Sequence, residues 1–390
     1  MSAGEGQQRL VCNLLRSALP NDLQALALRL CLVADRAALE AWRRWLETKP
    51  DAKYALGSRS AHLKGLLALL YYRLQQEGEA IEASLRSYLR TARAHEQLRT
   101  ETVRRICRGA LRSLHAAGIE VIVLKGMAMA ETVYPEASLR HCHDLDLLVA
   151  DERVPDAMEA LRGAGFRVGA GSPGSATSSA WVEHPSGFPV GLHTVLYRLP
   201  PWNAGACDAK RTAMRAEVAG CQVRVLSPAQ ALVHICCHGL TRGGPHSPSW
   251  IGDAWFLLGR TPAGLDWEEV TAIAASGHQS IPLMVALEYL AERLAAPVPP
   301  RVFQVLRGLS EREEDIESAR AAALMATRGR PLALLRAGAR AGHPAQTVWW
   351  LLFPPPSQLR MVEGAAGLLP ALYLKRLGRY VLRPNWRTFC

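Results

Sequence analysis

Apolar residues recur at intervals of three and four across residues 8–110, which places them on one face of successive helices. This spacing predicts a helical N-terminal region. Pro20-Asn21-Asp22 predicts the end of one helix and the N-cap of the next. A long amphipathic run over residues 80–117 predicts a further helix whose apolar face packs against the rest of the chain.

The pattern changes to strands and short helices between residues 119 and 227. Segments rich in β-branched residues, or with alternating polar and apolar residues, predict strands. Two of these segments flank residues 185–187 (Pro-Ser-Gly) and predict a hairpin, and the Gly- and Ser-rich residues 171–179 predict a loop. The predicted strands are IEVIVLKG (119–126), DLDLLVA (144–150), FRVGA (166–170), AWVEH (180–184), VGLHTVL (190–196) and CQVRVLS (221–227).

Helical spacing returns after Ser227, which predicts the N-cap of a helix that begins at Pro228. A charged amphipathic run covers residues 300–345 and is followed by the proline-rich block FPPPSQL (353–359) and a last helical piece that ends near residue 380. We therefore expect an α+β fold with a small mixed-sheet core. The predicted domains are a helical region (1–110), the α+β core (111–227) and a second helical region (228–390).

The composition indicates a folded protein with a basic surface. Of 390 residues, 49% are hydrophobic, which argues against a mostly disordered chain. The net charge is +11, and 40 of the 46 basic residues are arginine, which binds phosphate in a planar fork. This excess favours an acidic or phosphorylated partner, although an arginine-rich solvated surface fits equally well. The nine cysteines form no C-x-x-C pair, and no signal peptide or continuous apolar span is recognisable, so we expect a cytoplasmic protein without a membrane span.

The sharpest chemical feature is Asp144-Leu145-Asp146 in a predicted strand. Residues i and i+2 of a strand point to the same face, so the two carboxylates repel each other unless a cation lies between them. Mg²⁺ binds carboxylate oxygens together with substrate phosphates, which suggests metal-assisted attack at phosphorus. Upstream, Lys125-Gly126 lies where a strand turns into a short helix. A lysine and a helix N-terminus at such a turn both favour phosphate.

The segment LKGMAMAETVYPEASLRHCHDLDLLV (124–149) resembles the polymerase β-type nucleotidyltransferase superfamily. Its pattern of residues is similar to that of the bacterial group usually labelled uncharacterised nucleotidyltransferase family proteins. The resemblance extends over roughly residues 110–380 through a set of later segments. These are ALVHICCHG (231–239), SWIGDAWFLL (249–258), LDWEEV (265–270), FPPPSQLR (353–360) and LYLKRLGR (372–379).

The resemblance implies roles for individual residues. Asp144 and Asp146 match the metal-binding aspartates of the family, which would hold Mg²⁺ or Mn²⁺. Gly126 stands for the glycine of the superfamily's phosphate-binding turn, with Lys125 beside it. Arg140 matches an arginine ahead of the D-x-D segment, where it would pair with a carboxylate or with the triphosphate.

One position departs from the family pattern. A third carboxylate is expected just before the Leu-His of VGLHTVL, where this chain has Gly191 and keeps His193. His193 is two residues from Gly191 and so shares the face of the site, where it would bind metal or act as the base. Glu183 is a candidate substitute, but a tight hairpin would pair it with Val190 and turn it to the opposite face.

Three polar residues of the second helical region fit more than one role. His234 and His238 lie at i and i+4, the spacing of paired zinc ligands, although packed helix histidines are the more common case. Asp253 lies in an apolar helix, where it would pair with an arginine or contact a nucleotide.

Three functions fit this sequence. The first is a nucleotidyltransferase, in which a nucleoside triphosphate such as ATP would donate a nucleotidyl group to a hydroxyl or phosphate acceptor on a small molecule, a modified peptide or a protein, in a biosynthetic tailoring step. The second is a catalytically degenerate protein on the same fold that binds a nucleotide or a partner, which Gly191 favours. The third is an RNA-directed nucleotidyltransferase toxin, although no aromatic-interleaved basic stripe supports it.

Overall fold

Helices precede the sheet, as the apolar spacing predicts. A computed structural model describes residues 3–327, apart from 50, 59–60, 169–178, 198–208, 244–247 and 262–263, together with separate positions between 345 and 374. Within the described residues, six α-helices precede the first strand: α1 (Ala3–Arg16), α2 (Asp22–Leu32), α3 (Arg36–Thr48), α4 (Ala52–Gly57), α5 (Leu67–Gln76) and α6 (Ala83–Ala116).

The start of α2 and the extent of α6 follow from the local sequence. The Asn21 side chain accepts a hydrogen bond from the Gln24 backbone N–H, and the Gln24 side chain accepts one from Asn21, which completes a capping box. Helix α6 continues without a break through residue 110. The domain boundary predicted between residues 110 and 111 therefore falls inside one helix.

The core is a mixed sheet of seven strands among the described residues, and it confirms the α+β class. The order across the sheet is β3-β4-β5-β2-β1-β7-β6. Strand β1 is antiparallel to β2 and parallel to β7, and β2 is parallel to β5. The strands are β1 (Ile122–Val123), β2 (Leu145–Leu148), β3 (Arg167–Val168), β4 (Ser179–Glu183), β5 (Pro189–His193), β6 (Met214–Val218) and β7 (Cys221–Val225).

Two hairpins differ from the sequence prediction. Strands β4 and β5 pair with Trp181 opposite Gly191 and Glu183 opposite Pro189. The connection from Glu183 to its partner is therefore one residue shorter than in the predicted hairpin that pairs Glu183 with Val190, and the register is shifted by one residue. Strand β6 is absent from the predicted set, because its side chains are mostly exposed and its sequence, MRAEV, carries few β-branched residues.

Nine further α-helices follow β1 within the described residues. Ser227 caps α10 by accepting a hydrogen bond from the Gln230 backbone N–H, as predicted. The described helices that follow β1 are α7 (Lys125–Thr132), α8 (Val154–Gly163), α9 (Ala209–Thr212), α10 (Pro228–His238), α11 (Ser249–Arg260), α12 (Trp267–Ser276), α13 (Ser280–Leu294), α14 (Pro300–Ser310) and α15 (Glu313–Thr327).

The two helical regions pack on each other rather than on the sheet alone. Helix α1 contacts α13 and α15, and α2 contacts α11 and α13. Across this contact the Gln8 side-chain amide donates to Ser310 Oγ at 2.6 Å, and Arg16 pairs with Glu288 at 2.9 Å. Chain segments far apart in sequence therefore share one core.

Several predicted segments lie outside the described residues. They are most of the loop at 171–179, the charged run beyond residue 327, most of the proline-rich block and the last helical piece. Among the described residues, no helix combines the length and the apolar character that crossing a bilayer requires.

Candidate active site

Strand directions bring Lys125 beside the D-x-D segment. Because β1 is antiparallel to β2, the end of β1 lies next to the start of β2, and the Leu124 backbone N–H donates to the Asp146 carbonyl at 2.9 Å. Lys125 follows directly and opens α7 with a φ of +27°, an unusual backbone angle for a residue other than glycine. The turn from strand to helix therefore directs this lysine toward Asp146.

Asp146 is a buried anion that is held by two neighbours. Its side chain is 1% exposed; Lys125 Nζ forms an ion pair with Oδ2, and His193 Nε2 lies 2.7 Å from Oδ1. Burial alone would raise the pKa of Asp146, but the Lys125 ammonium and the hydrogen bond from His193 lower that pKa well below its usual value. Asp146 is therefore ionised, and each of its oxygens faces a polar partner.

Gly191 explains how His193 reaches Asp146. Gly191 lies directly opposite Asp146 in the parallel β2–β5 pair. A Cβ on residue 191 would lie 2.7 Å from Asp146 Oδ1, 3.0 Å from His193 Nε2 and 3.1 Å from Trp181 Cη2. Any side chain at this position would collide with the three groups, so the glycine leaves the space in which the imidazole and the carboxylate meet.

Asp144 lies one residue ahead of β2 rather than within the strand. Its side chain is 14% exposed, and its nearest recorded polar partner is His143 Nε2, 3.4 Å from Oδ2. Burial lowers the pKa of His143, with Arg140 and Lys125 acting in the same direction and Asp144 opposing them. Asp144 is thus the more accessible of the two predicted metal ligands.

The donor set fits a magnesium ion that arrives with phosphates better than a metal held by the protein alone. Within the described part of the chain, no three His, Cys, Asp or Glu side chains converge as a metal cage. Asp144 and Asp146 supply hard oxygen donors, and a cation, the Lys125 ammonium, already lies against Asp146. Mg²⁺ commonly takes one or two carboxylates and completes its shell with substrate phosphates and water.

Arg140 is engaged in a buried ion pair. Its Nε and Nη2 donate to the two oxygens of Asp253 at 2.8 and 2.9 Å, and its Nη1 contacts the His141 carbonyl. The Tyr134 hydroxyl donates to the same carboxylate at 3.0 Å. This geometry confirms that Asp253 pairs with an arginine. It ties α11 to the segment ahead of the D-x-D aspartates.

Gly126 lies behind the first turn of α7, buried from solvent. A Cβ at this position would point toward Arg140 Nη2 and Cys142 Sγ, each 3.9 Å away. A side chain at position 126 would therefore point toward the Arg140 ion pair.

Helix α6 fixes the loop that leads into the site. Arg93 donates to Ser138 Oγ at 3.0 Å, and His141 Nδ1 lies 2.8 Å from Glu96 Oε2. These contacts hold the middle and the end of the segment between α7 and Asp144 against one helix. The position of the D-x-D segment is thereby set from outside the sheet.

His234 and His238 on α10 lie close to this site. The ring centroids are 5.7 Å apart, and His234 is 3% exposed with neither ring nitrogen in a well-formed hydrogen bond. Burial, followed by the positive charge of Lys125, lowers the pKa of His234 to about 3 and that of His238 well below its usual value. Both imidazoles are therefore neutral, as expected for packed helix histidines.

Glu183, the candidate substitute for the missing carboxylate, does not reach the site. The register of β4 and β5 turns Glu183 to the same side of the sheet as Gly191, contrary to the sequence prediction. Glu183 nevertheless lies at the exposed hairpin tip, where its Oε1 approaches Gly187. It does not join Asp144 and Asp146 in a group of three candidate ligands.

Two further residues of the site, Trp181 and Tyr134, have no role that the sequence patterns indicate. The Trp181 ring meets the His193 ring edge-on, with centroids 6.0 Å apart, and borders the space left by Gly191. Tyr134 completes the Arg140–Asp253 pair. Both depend on pairing between distant segments, which local patterns do not reveal.

One comparison with known proteins covers the part of the chain that contains this site. A family model described as an uncharacterised nucleotidyltransferase matches residues 58–295, which is more than half of the chain. The matched region contains the whole sheet, the Lys125–Asp146–His193 group and helices α10 and α11. No curated protein and no solved structure matched the chain.

Proposed function

The chain belongs to the uncharacterised nucleotidyltransferase family, and from this premise we propose that it transfers a nucleotidyl group from a nucleoside triphosphate to a hydroxyl or phosphate acceptor. The observation that carries the proposal is the buried Asp146 carboxylate, held between Lys125 and His193 beside a second carboxylate, Asp144. An ammonium, an imidazole that could act as a general base and two carboxylates that could bind metal thus lie at one end of the sheet.

Lys125 and the two aspartates would act on the triphosphate. In the resting protein Lys125 neutralises Asp146, and the ammonium is free to move to a phosphate oxygen once another cation satisfies the carboxylate. Asp144 and Asp146 would hold Mg²⁺ or Mn²⁺, which supplies charge neutralisation on the phosphate oxygens. The backbone N–H of Gly126 at the start of α7 would donate to a phosphate.

His193 is suited to receive the proton of the acceptor. When Nε2–H donates to Asp146 Oδ1, Nδ1 keeps a lone pair, and the carboxylate fixes the ring orientation. The acceptor oxygen attacks the α-phosphorus and passes its proton to His193, while the bond to pyrophosphate breaks and pyrophosphate leaves with the electron pair. His193 would thus accept the proton of the attacking hydroxyl, the role that a third carboxylate has elsewhere in the superfamily.

A second function is favoured by a specific observation. Both oxygens of Asp146 already have partners, and Gly191 removes the third carboxylate. A site closed in this way fits a protein that binds a nucleotide or a partner without turnover.

Pyrophosphate release separates these functions. Purified protein is incubated with Mg²⁺ or Mn²⁺ and each labelled triphosphate, with and without candidate acceptors and RNA. Turnover that disappears in Asp144→Asn and Asp146→Asn but persists in Asp156→Asn supports the transferase. Asp156 is a matched control because it is 62% exposed and lies on α8.

The other outcomes are equally distinct. Triphosphate binding without pyrophosphate release supports the binding protein, and label that appears on RNA supports an RNA-directed transferase. Thermal melting of each variant shows whether the fold is retained. Release of pyrophosphate by both folded aspartate variants at the wild-type rate would overturn the assignment of the site.

A further inference from the structure

A cavity separate from the candidate active site lies at the other end of the sheet. It has a volume of about 680 Å³ and opens where β1 and β7 begin, whereas the candidate active site lies where β1 ends. Its wall is formed by the last turns of α6, the residues that lead into β1, and the hairpin of β6 and β7. We call it the arginine pocket because Arg112, Arg215 and Arg224 line it, with His115 beside them.

Two of these arginines form a like-charge pair across the hairpin. Arg215 on β6 lies directly opposite Arg224 on β7, so both side chains project to the same face. The register is fixed by the Ala219-Gly220 turn, in which both residues have positive φ angles. Like charges that face each other directly across strands destabilise a hairpin. The hairpin therefore holds two positive charges opposite each other in an electrostatically unfavourable pair.

The guanidinium of Arg224 is held in place. Its Nη2 donates to the Lys210 carbonyl at 2.6 Å and to the Ala213 carbonyl at 3.2 Å. These bonds leave its remaining N–H groups available. Arg112 reaches the same cavity from α6, so the three guanidiniums come from three different elements.

Within the part of the chain that the structure describes, the arginine pocket carries more positive than negative charge. Among the described residues, Arg112, Arg215 and Arg224 form no ion pair with a carboxylate, and Glu120 is the one acidic side chain on the wall. The C-terminus of α6 adds about half a negative charge. A net positive charge remains, next to the partly exposed apolar side chains of Val121 and Val223.

We propose that the arginine pocket is a second binding site, for a phosphorylated small molecule with an apolar or aromatic body. Guanidinium groups bind phosphate oxygens in pairs, and the apolar wall covers the rest of the ligand. The volume lies within the range of small-molecule sites, which is about 300–1,000 Å³. Bound phosphate would also relieve the repulsion between Arg215 and Arg224. The site is independent of the proposed transfer reaction.

Binding of adenosine monophosphate, measured by calorimetry without divalent metal, tests this proposal. We expect the wild type to bind adenosine monophosphate but not uncharged adenosine. Arg215→Gln and Arg112→Gln are each expected to weaken binding by about tenfold or more, since each removes charge-assisted hydrogen bonds. Arg90→Gln is a matched control, because Arg90 is exposed on α6 far from the pocket. Lys125→Gln, at the candidate active site, is expected to leave this binding unchanged.

Thermal melting provides a second measurement. Without ligand, Arg215→Gln should melt at a higher temperature than Arg90→Gln, because it removes the like-charge pair, and adenosine monophosphate should no longer stabilise it. Equal binding by wild type and Arg215→Gln, absence of binding to the wild type, or a lower melting temperature of Arg215→Gln would overturn the proposal. Tighter, Arg215-dependent binding of single-stranded RNA would also overturn it, in favour of a nucleic-acid surface.

Discussion

Gly191 and Asp146 are direct neighbours on β5 and β2, and a Cβ on Gly191 would lie only 2.7 Å from Asp146 Oδ1. The same Cβ would lie 3.0 Å from His193 Nε2, so the glycine is required for the hydrogen bond between His193 and Asp146. Absence of a carboxylate at position 191 and approach of the imidazole are therefore two parts of one arrangement. Asp146 therefore belongs to a lysine–aspartate–histidine group whose assembly depends on the glycine at position 191.

Gly191→Ala is expected to disrupt this group. The new methyl cannot fit without moving Asp146 or His193, since real Cβ contacts are never this short. We expect at least a tenfold loss of pyrophosphate release and a destabilisation of about 1–3 kcal/mol from overpacking. Urea unfolding and turnover check both. Gly109→Ala is the control, because an added Cβ at Gly109 in α6 would meet open space, so this variant should lose neither activity nor stability.

Gly191→Asp tests whether the missing carboxylate alone limits activity. A carboxylate here would crowd and repel ionised Asp146, so we expect lower activity than the wild type rather than a gain. Pyrophosphate release at saturating triphosphate and Mg²⁺ is the measurement. An increase over the wild-type rate would show that His193 does not replace the carboxylate.

Lys125→Gln is expected to weaken both the fold and triphosphate binding. The ammonium is the cation that offsets the buried charge of Asp146, and removal of one partner of a buried pair costs about 3–5 kcal/mol. Lys125 is partly exposed, so we expect the lower part of this range. Urea unfolding measures the cost, and equilibrium binding measures triphosphate affinity. Lys64→Gln, outside the site, serves as the control, and equal unfolding energies for the two variants would contradict the buried pair.

Asp253→Asn is expected to destabilise the protein without a direct effect on nucleotide contacts. It leaves the buried Arg140 guanidinium with a neutral partner, and Tyr134 loses its charged acceptor. We expect a loss of about 3 kcal/mol or more in the free energy of unfolding. Triphosphate affinity, measured where the variant is folded, should change less than threefold. A large loss of affinity with unchanged stability would instead place Arg140 at the triphosphate.

The sequence predicts those parts of the structure that are set locally. The sequence predicts the N-caps Asn21 and Ser227, and the structure shows that each accepts a hydrogen bond from a backbone N–H three residues later. The D-x-D segment was predicted as a strand, although the strand itself begins one residue later, at Leu145.

Features that depend on distant pairing were not predictable in the same way. The one-residue shift that turns Glu183 to the face of Gly191 depends on the loop conformation between β4 and β5, which residue type alone did not determine. The bidentate pairing of Arg140 with Asp253 joins residues 113 positions apart, so the sequence could suggest an arginine partner but not identify it. Strand β6 forms on the support of β7 and not from its own exposed residues.

The neutral histidines of α10 predict a specific loss of stability in acid. The folded-state pKa of His234 is about 3, below the 6.5 of the free side chain, so between these values the unfolded chain binds more protons than the folded one. The contribution of His234 is therefore fully present above pH 6.5 and declines as pH falls, by about 1 kcal/mol per pH unit. His238, whose pKa is also lowered, acts in the same direction.

Urea unfolding between about pH 7.5 and pH 5.5 should show this slope, and His234→Gln should reduce it while the exposed control His115→Gln does not. An unchanged slope in His234→Gln would mean that this imidazole is protonated in the folded protein, and its proximity to Lys125 would then have to be relieved by an anion at the site.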